Sequence, residues 1–169
     1  MYTNMIAFKI LDIQYGWIFA AIETGTGQIA ISNSYLQGLH VPGVFLQSII
    51  KLLNKKEQEE WICWHGESTA YLWHFIVRND VLELFIYDGG SSFGLPLSGN
   101  ALIKYAASSD AILEANGSLS FFAQSVCDAF KFYSYGEGYD IWQKSKYKDM
   151  FPRTELSLLR KILRQNNHK

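Results

Sequence analysis

The sequence predicts an α+β fold, a mostly antiparallel sheet of about six strands with helices packed on it, formed by residues 1–169 as one domain. Three observations predict it. Short β-rich runs follow one another through tight connections, so hairpins dominate. Helical spacing of apolar residues is confined to one segment of the first half and to the last third. The order is strands, helix, strands, helices, without the strand–helix alternation of a parallel sheet. Material for a core is present: 49% of the 169 residues are hydrophobic and 15% aromatic against 18% charged, which excludes a disordered chain.

Met5 to Ile13, Trp17 to Thr24 and Ile29 to Ser32 read as a three-stranded meander. Gly25-Thr26-Gly27-Gln28 marks the clearer of its two turns, because glycine reaches positive φ without a Cβ clash. After Ser34-Tyr35-Leu36, Gly38 and Pro42-Gly43, the residues Val44, Phe45, Ile49, Leu52 and Leu53 predict a helix over 44–54. The charged patch from Lys55 to Glu60 separates it from three further strands, Trp61 to His65, Thr69 to Arg78 and Val81 to Tyr87. Asn79-Asp80 supplies the hairpin turn between the last two. The middle strand points Tyr71, Trp73, Phe75 and Val77 one way and Leu72, His74 and Ile76 the other. Both faces are largely apolar, which predicts a central strand with packing on each side.

Asp88 to Asn100 reads as a long binding-type loop and Ala101 to Ala107 as a further strand. Asn116-Gly117 reads as a turn, with Ser118 capping a helix to about Phe132 whose buried stripe is Leu119, Phe122, Val126, Ala129, Phe130 and Tyr133. Gly136 and Gly138 end that helix, a short helical piece holds Tyr139 and Trp142, and Pro152 opens a last helix over 153–164 with Leu156, Leu159, Ile162 and Leu163 inside.

Residues 1–9 lack the pattern of a secretory signal, and the apolar runs are far shorter than the roughly 20 residues a spanning helix needs. The expected compartment is the cytoplasm, where Cys63 and Cys127 are thiols. The net charge of −1 hides an asymmetry: residues 1–140 hold 7 Lys/Arg against 14 Asp/Glu, and residues 141–169 hold 8 against 2. The basic end is either the solvated face of a terminal helix or a contact for an anionic partner; the acidic body suits a basic protein.

Several constellations bear on chemistry. Cys63-Trp64-His65-Gly66-Glu67 places a thiol and an imidazole on one strand face, and Glu67 could orient His65. That would be a small Cys63/His65 enzyme, although no residue pattern supplies an anion-stabilising pocket. The competing reading makes Cys63 a core residue and His65 a strand-end residue bonded to the turn. Metal-ligand spacing is missing around Cys63, His65, His74 and Glu67, while His40 and His168 fall in a loop and a tail, so neither metal nor cofactor is expected. Gly89-Gly90-Ser91-Ser92 lacks the lysine and following helix of a phosphate loop. For nucleic acid, Tyr147 among Lys144, Lys146 and Lys148 is the only local hint of basic residues interleaved with aromatics; the alternative it supports is an adaptor using the tail from Lys144 to Lys169.

Two stretches resemble a known group. Ser34-Tyr35-Leu36 with Trp64-His65-Gly66-Glu67, Tyr71 and Trp73, and Tyr139-x2-Trp142 with Phe151-Pro152-x2-Glu155-Leu156-x2-Leu159, are similar to small bacterial α+β proteins. Proteins like these serve as immunity partners of secreted polymorphic or contact-dependent toxins. Where members carry Glu-Pro before the aromatic strand, this chain has Glu67-Ser68. The resemblance implies a non-enzymatic protein-binding module that neutralises a cognate toxin domain, such as a basic nuclease, and it carries over no active site; no membrane partner is expected, and a predicted sheet poor in Lys and Arg argues against nucleic acid. With the acidic body, this gives Glu57, Glu59, Glu60, Glu67, Asp88 and Phe93 in the Gly89–Phe93 loop as expected partner contacts.

Overall fold

Ala7–Gln14 (β1), Trp17–Thr24 (β2) and Gly27–Ser34 (β3) form the expected meander, an antiparallel sheet in the order β1-β2-β3. The computed structural model describes residues 5–35, 40–55, 58–91, 94–107 and 109–166. Left-handed backbone falls in the β1–β2 turn, at Tyr15 (φ 49°) and Gly16 (φ 86°), and not in the Gly25-Thr26 turn where glycine pointed to it. A side chain on Gly16 would also press on Lys146, 2.9 Å away. The register slips between Ile10 and Asp12, a bulge at Leu11.

A second antiparallel sheet is built from Glu59–His65 (β4), Ala70–Arg78 (β5), Val81–Asp88 (β6) and Ala111–Ser118 (β7), in that order. The fold is therefore α+β, with seven strands in two sheets in place of about six in one. Asn79 (φ 50°) and Asp80 (φ 64°) make the expected hairpin turn between β5 and β6. Two sequence expectations are corrected in this region. Asn116 and Gly117 lie inside β7, opposite Glu83 and Leu82, and the strand runs straight into the next helix. Ala-Ile-Leu-Glu-Ala-Asn-Gly-Ser has little β propensity of its own, so pairing with the apolar β6 makes it a strand. Ala101 to Ala107 is helical: a 3-10 turn at Asn100–Leu102 continues into Ile103–Ala106 (α2), and Leu102 of the turn and Ala106 of α2, four apart, are both buried.

The main helices are Val41–Leu53 (α1), Leu119–Phe132 (α3), Gly136–Lys144 (α4) and Arg153–Asn166 (α5). α1 starts three residues before the expected 44, because Pro42 fits its first turn. The Ser118 hydroxyl caps α3 by accepting from the Phe121 N–H at 3.2 Å. Every residue of the stripe expected for α5 is buried. Phe45 of α1 packs against Phe8 of β1 (5.1 Å between ring centroids), Trp64 of β4 (5.5 Å) and Trp73 of β5 (5.2 Å), so one aromatic cluster joins both sheets to the helix layer.

A buried polar hub ties the ends of β3 and β4 to the α4–α5 connection. Asn33 Nδ2 donates to the Tyr147 hydroxyl (2.8 Å), which donates back to the Asn33 carbonyl (3.0 Å), while Asn33 Oδ1 accepts from the His65 N–H (2.9 Å). Asn33 and Tyr147 are both fully buried. Trp142 Nε1 donates to the Tyr147 carbonyl at 2.7 Å, which seats α4 on the same hub.

Candidate protein-binding face

Strand alternation divides the four-stranded sheet into two faces. Ile62, Trp64, Trp73, Phe75, Leu82, Leu84 and Ile86 face the helices and enter the main core. The opposite face is set by the register: Glu59, Ile76, Glu83 and Asn116 form one cross-strand row, Trp61, His74, Phe85 and Glu114 the next, and Cys63, Leu72, Tyr87 and Ala111 the third.

The third row is covered. The Leu97 carbonyl accepts from the Cys63 N–H (2.8 Å) and the Gly99 N–H donates to the Trp61 carbonyl (2.9 Å), so residues 97–99 close the free edge of β4. Leu95, Leu102 and Ala106 then pack on Trp61, Cys63 and Leu72. The expectation of packing on both sides of β5 holds for Leu72 but stops short of His74 and Ile76, which stay partly open.

The part left partly open is His74, Ile76 and Phe85, edged by carboxylates. His74 stacks on Trp61 at 3.8 Å and 12°, Phe85 lies 5.8 Å from His74, and Tyr87 lies 6.4 Å from Phe85. Glu59 Oε1 accepts from His74 Nε2 (2.7 Å) and Trp61 Nε1 (3.1 Å), so one carboxylate sets the orientation of both rings. These bonds, His74's first and Trp61's second, hold the Glu59 carboxyl below its ordinary range. Burial lowers His74, against the opposing pull of Glu59 and Glu83. At neutral pH the imidazole is thus uncharged, and because an ionised carboxylate can only accept, the proton sits on Nε2. Burial raises the Tyr87 hydroxyl, and the nearby Glu114 charge adds to it. Arg78 reaches Glu83 at 3.6 Å, an ion pair at the edge of this face. Three carboxylates around half-buried rings form a surface that accepts cationic side chains, by charge and by the ring faces.

The expected contacts are dispersed. Glu59 is 53% exposed and belongs to this face. Glu60 is 8% exposed and turned inward: its carboxylate accepts from the Ser48 hydroxyl and the Lys51 ammonium, both at 3.0 Å, and pins α1 to β4 instead of meeting a partner. Glu67 is exposed in the β4–β5 turn, where it lines a 380 Å³ hollow with Tyr35 and Lys146. Asp88 closes its own turn by accepting from the Gly90 N–H at 2.8 Å. Glu57 and Phe93 lie outside the described residues, as does His168. Glu83, Phe85 and Glu114 were not singled out from the sequence. The signal for the first two is the alternation of Glu83, Phe85 and Tyr87 with Leu82, Leu84 and Ile86; Glu114 needed β7 to be recognised as a strand.

Cys63 is 1% exposed, and burial pushes its thiol up to about 12. Its Sγ lies 3.8 Å from the Trp64 carbonyl oxygen, a weak contact, and the His65 main chain is engaged by Asn33. Among the described residues no three His, Cys, Asp or Glu side chains come together as a metal site, and no helix is long and apolar enough to cross a membrane. No family model, curated protein or solved structure matches the chain.

Proposed function

We propose that the protein is a non-enzymatic protein-binding module that engages a basic partner through the outer face of its four-stranded sheet. The concrete form of the proposal is an immunity protein that neutralises a cognate bacterial toxin, such as a basic nuclease, by binding it. The observation that carries the binding reading is the row of His74, its side chain 12% exposed, and partly buried Phe85, edged by Glu59, Glu83 and Glu114. Half-buried rings supply desolvated contact area, and acidic residues around them speed encounter with a cationic surface and reject an acidic one. The immunity form rests on the resemblance of the Trp64–Trp73 and Phe151–Leu159 segments to that group.

The test is co-purification with the toxin domain encoded beside the gene. The expected result is a 1:1 complex and protection of cells. Glu83→Lys with Glu114→Lys weakens the complex at least about a hundredfold, since like charges brought together across an interface cost several kcal/mol. Glu137→Lys, on α4 away from this face, leaves it unchanged. Absence of a complex at micromolar concentration, together with absence of protection, refutes the immunity form; a complex indifferent to the double reversal refutes the assignment of the face.

A further inference from the structure

A second charged feature lies on the helix side, independent of the sheet face. α3 and α5 pack together and leave a cavity of about 140 Å³ between them, floored by Cys127 and Leu163 and walled by Lys131, Arg160 and Arg164. A second hollow of about 350 Å³, lined by α5 alone, shares Arg160 and Arg164 and adds Lys161, so a basic trough follows that helix. Arg160 and Arg164 are four apart on one helix, an arrangement of like charges that weakens an isolated helix. Among the described residues no ion pair relieves it: none of Lys131, Arg160, Lys161 and Arg164 has a carboxylate within salt-bridge distance. The one acid lining the trough is Asp128, whose Oδ1 accepts from Gln124 Nε2 at 3.1 Å. Lys131, Arg160 and Arg164 line the same hollow as the buried Cys127.

We propose that this trough binds a small phosphate-bearing anion, with Lys131, Arg160 and Arg164 as its ligands. Lys131, Arg160 and Arg164, with Lys161 beside them, against one carboxylate leave a local positive charge that a phosphate-bearing anion offsets and a lone carboxylate does not. Guanidinium forks match phosphate oxygens in two-point geometry, and the ammonium adds a point charge. A small ligand is favoured over a nucleic-acid strand because no aromatic side chain of the described residues lines either hollow, so bases would have nothing to stack on. The second hollow leaves room for another phosphate, which makes a diphosphate the fitting class.

Isothermal titration calorimetry of the whole chain with inorganic pyrophosphate, at constant ionic strength set with chloride, tests this. Saturable 1:1 binding is expected. Arg160→Gln with Arg164→Gln weakens it at least about tenfold, the size of one lost charge-assisted contact. Both positions lie outside the Leu156–Leu163 stripe, and circular dichroism verifies that the helices persist. Asp128→Asn removes the opposing charge and tightens binding, a gain that a merely unfolded variant could not show. No saturable heat, or binding unaffected by the arginine substitutions, overturns the site. A single-stranded oligonucleotide bound through Arg160 and Arg164 in place of pyrophosphate overturns the small-ligand assignment.

Discussion

Replacing Tyr147 with Phe removes one oxygen from the hub that joins the two sheets to the C-terminal helices, and its cost follows from the bonds that oxygen makes. The hydroxyl accepts from Asn33 Nδ2 at 2.8 Å and donates to the Asn33 carbonyl at 3.0 Å, among fully buried groups. Burial pushes its acidity far out of reach, opposed only by the Asn33 bond, so it is a neutral hydroxyl at every working pH. Phe keeps the ring volume and its edge contact with Tyr35, so the cavity contribution is small. What remains is an Asn33 amide whose next acceptor is the Ser34 carbonyl at 3.4 Å, and a carbonyl without this donor. A buried group deprived of its partner costs about 1–3 kcal/mol, and with the amide partly rescued the expected loss is about 2–4 kcal/mol. For a chain of this length that lowers Tm by about 5–15 °C. Urea unfolding should show the midpoint falling with an unchanged m-value. Asn33→Ala should cost more, because it also strands the His65 N–H, and the double variant should lose less than the sum of the two. A Tyr147→Phe loss below about 0.5 kcal/mol, or strict additivity of the pair, would refute the claim that the hub holds the sheets together.

Two further outcomes follow from the titrating groups. Cys63, with its thiol raised to about 12 and its side chain packed under Leu95 and Leu102, should react with a thiol reagent at pH 8 only as fast as the protein opens; rapid labelling of the folded chain would favour the Cys63/His65 enzyme over the binding module. His74 should titrate by NMR below its ordinary 6.5, and Glu59→Gln, which removes the largest influence raising it, should push the midpoint lower still. Both members of this pair have depressed folded-state values, so protons bind the unfolded chain better. Their stabilisation is present at neutral pH and fades as pH falls, through the His74 range below 6.5 first and the Glu59 range below 4.5 next. A fold more stable at pH 5 than at pH 7 in the wild type, but not in His74→Phe, would contradict this.

What the sequence disclosed and what it hid divide along local and long-range physics. The meander, the Asn79-Asp80 hairpin and the apolar stripe of α5 were legible because each depends on residues within a few positions of one another. β7 was not, since an Ala-Ile-Leu-Glu-Ala-Asn-Gly-Ser stretch becomes a strand only through pairing with β6. The same long-range dependence explains the scattered contact residues. Glu59 and Glu60 are indistinguishable by type, yet one residue of strand alternation sends the first to the open face and the second under Lys51 and Ser48. The Asn33–Tyr147 bond spans 114 residues and no spacing rule reaches it.

The charge asymmetry along the chain becomes an asymmetry in space. The acidic row lies on the outer face of the four-stranded sheet; Phe75 on the inner face meets Phe122 of α3, and the basic trough lies between α3 and α5. A sheet and a helix, each about 10 Å thick, thus stand between the two charged features, more than the roughly 8 Å over which exposed charges act at physiological salt. Each feature must then recognise its ligand by itself, and Glu83→Lys or Arg160→Gln should alter only its own binding reaction at 0.15 M salt. At about 0.01 M the screening length grows to about 30 Å and the separation vanishes, so pyrophosphate bound in the trough should then slow or speed partner association measurably. An influence of pyrophosphate on that association that persists unchanged at high salt would require a mechanical link between α3 and the sheet, and the purely electrostatic account would fail.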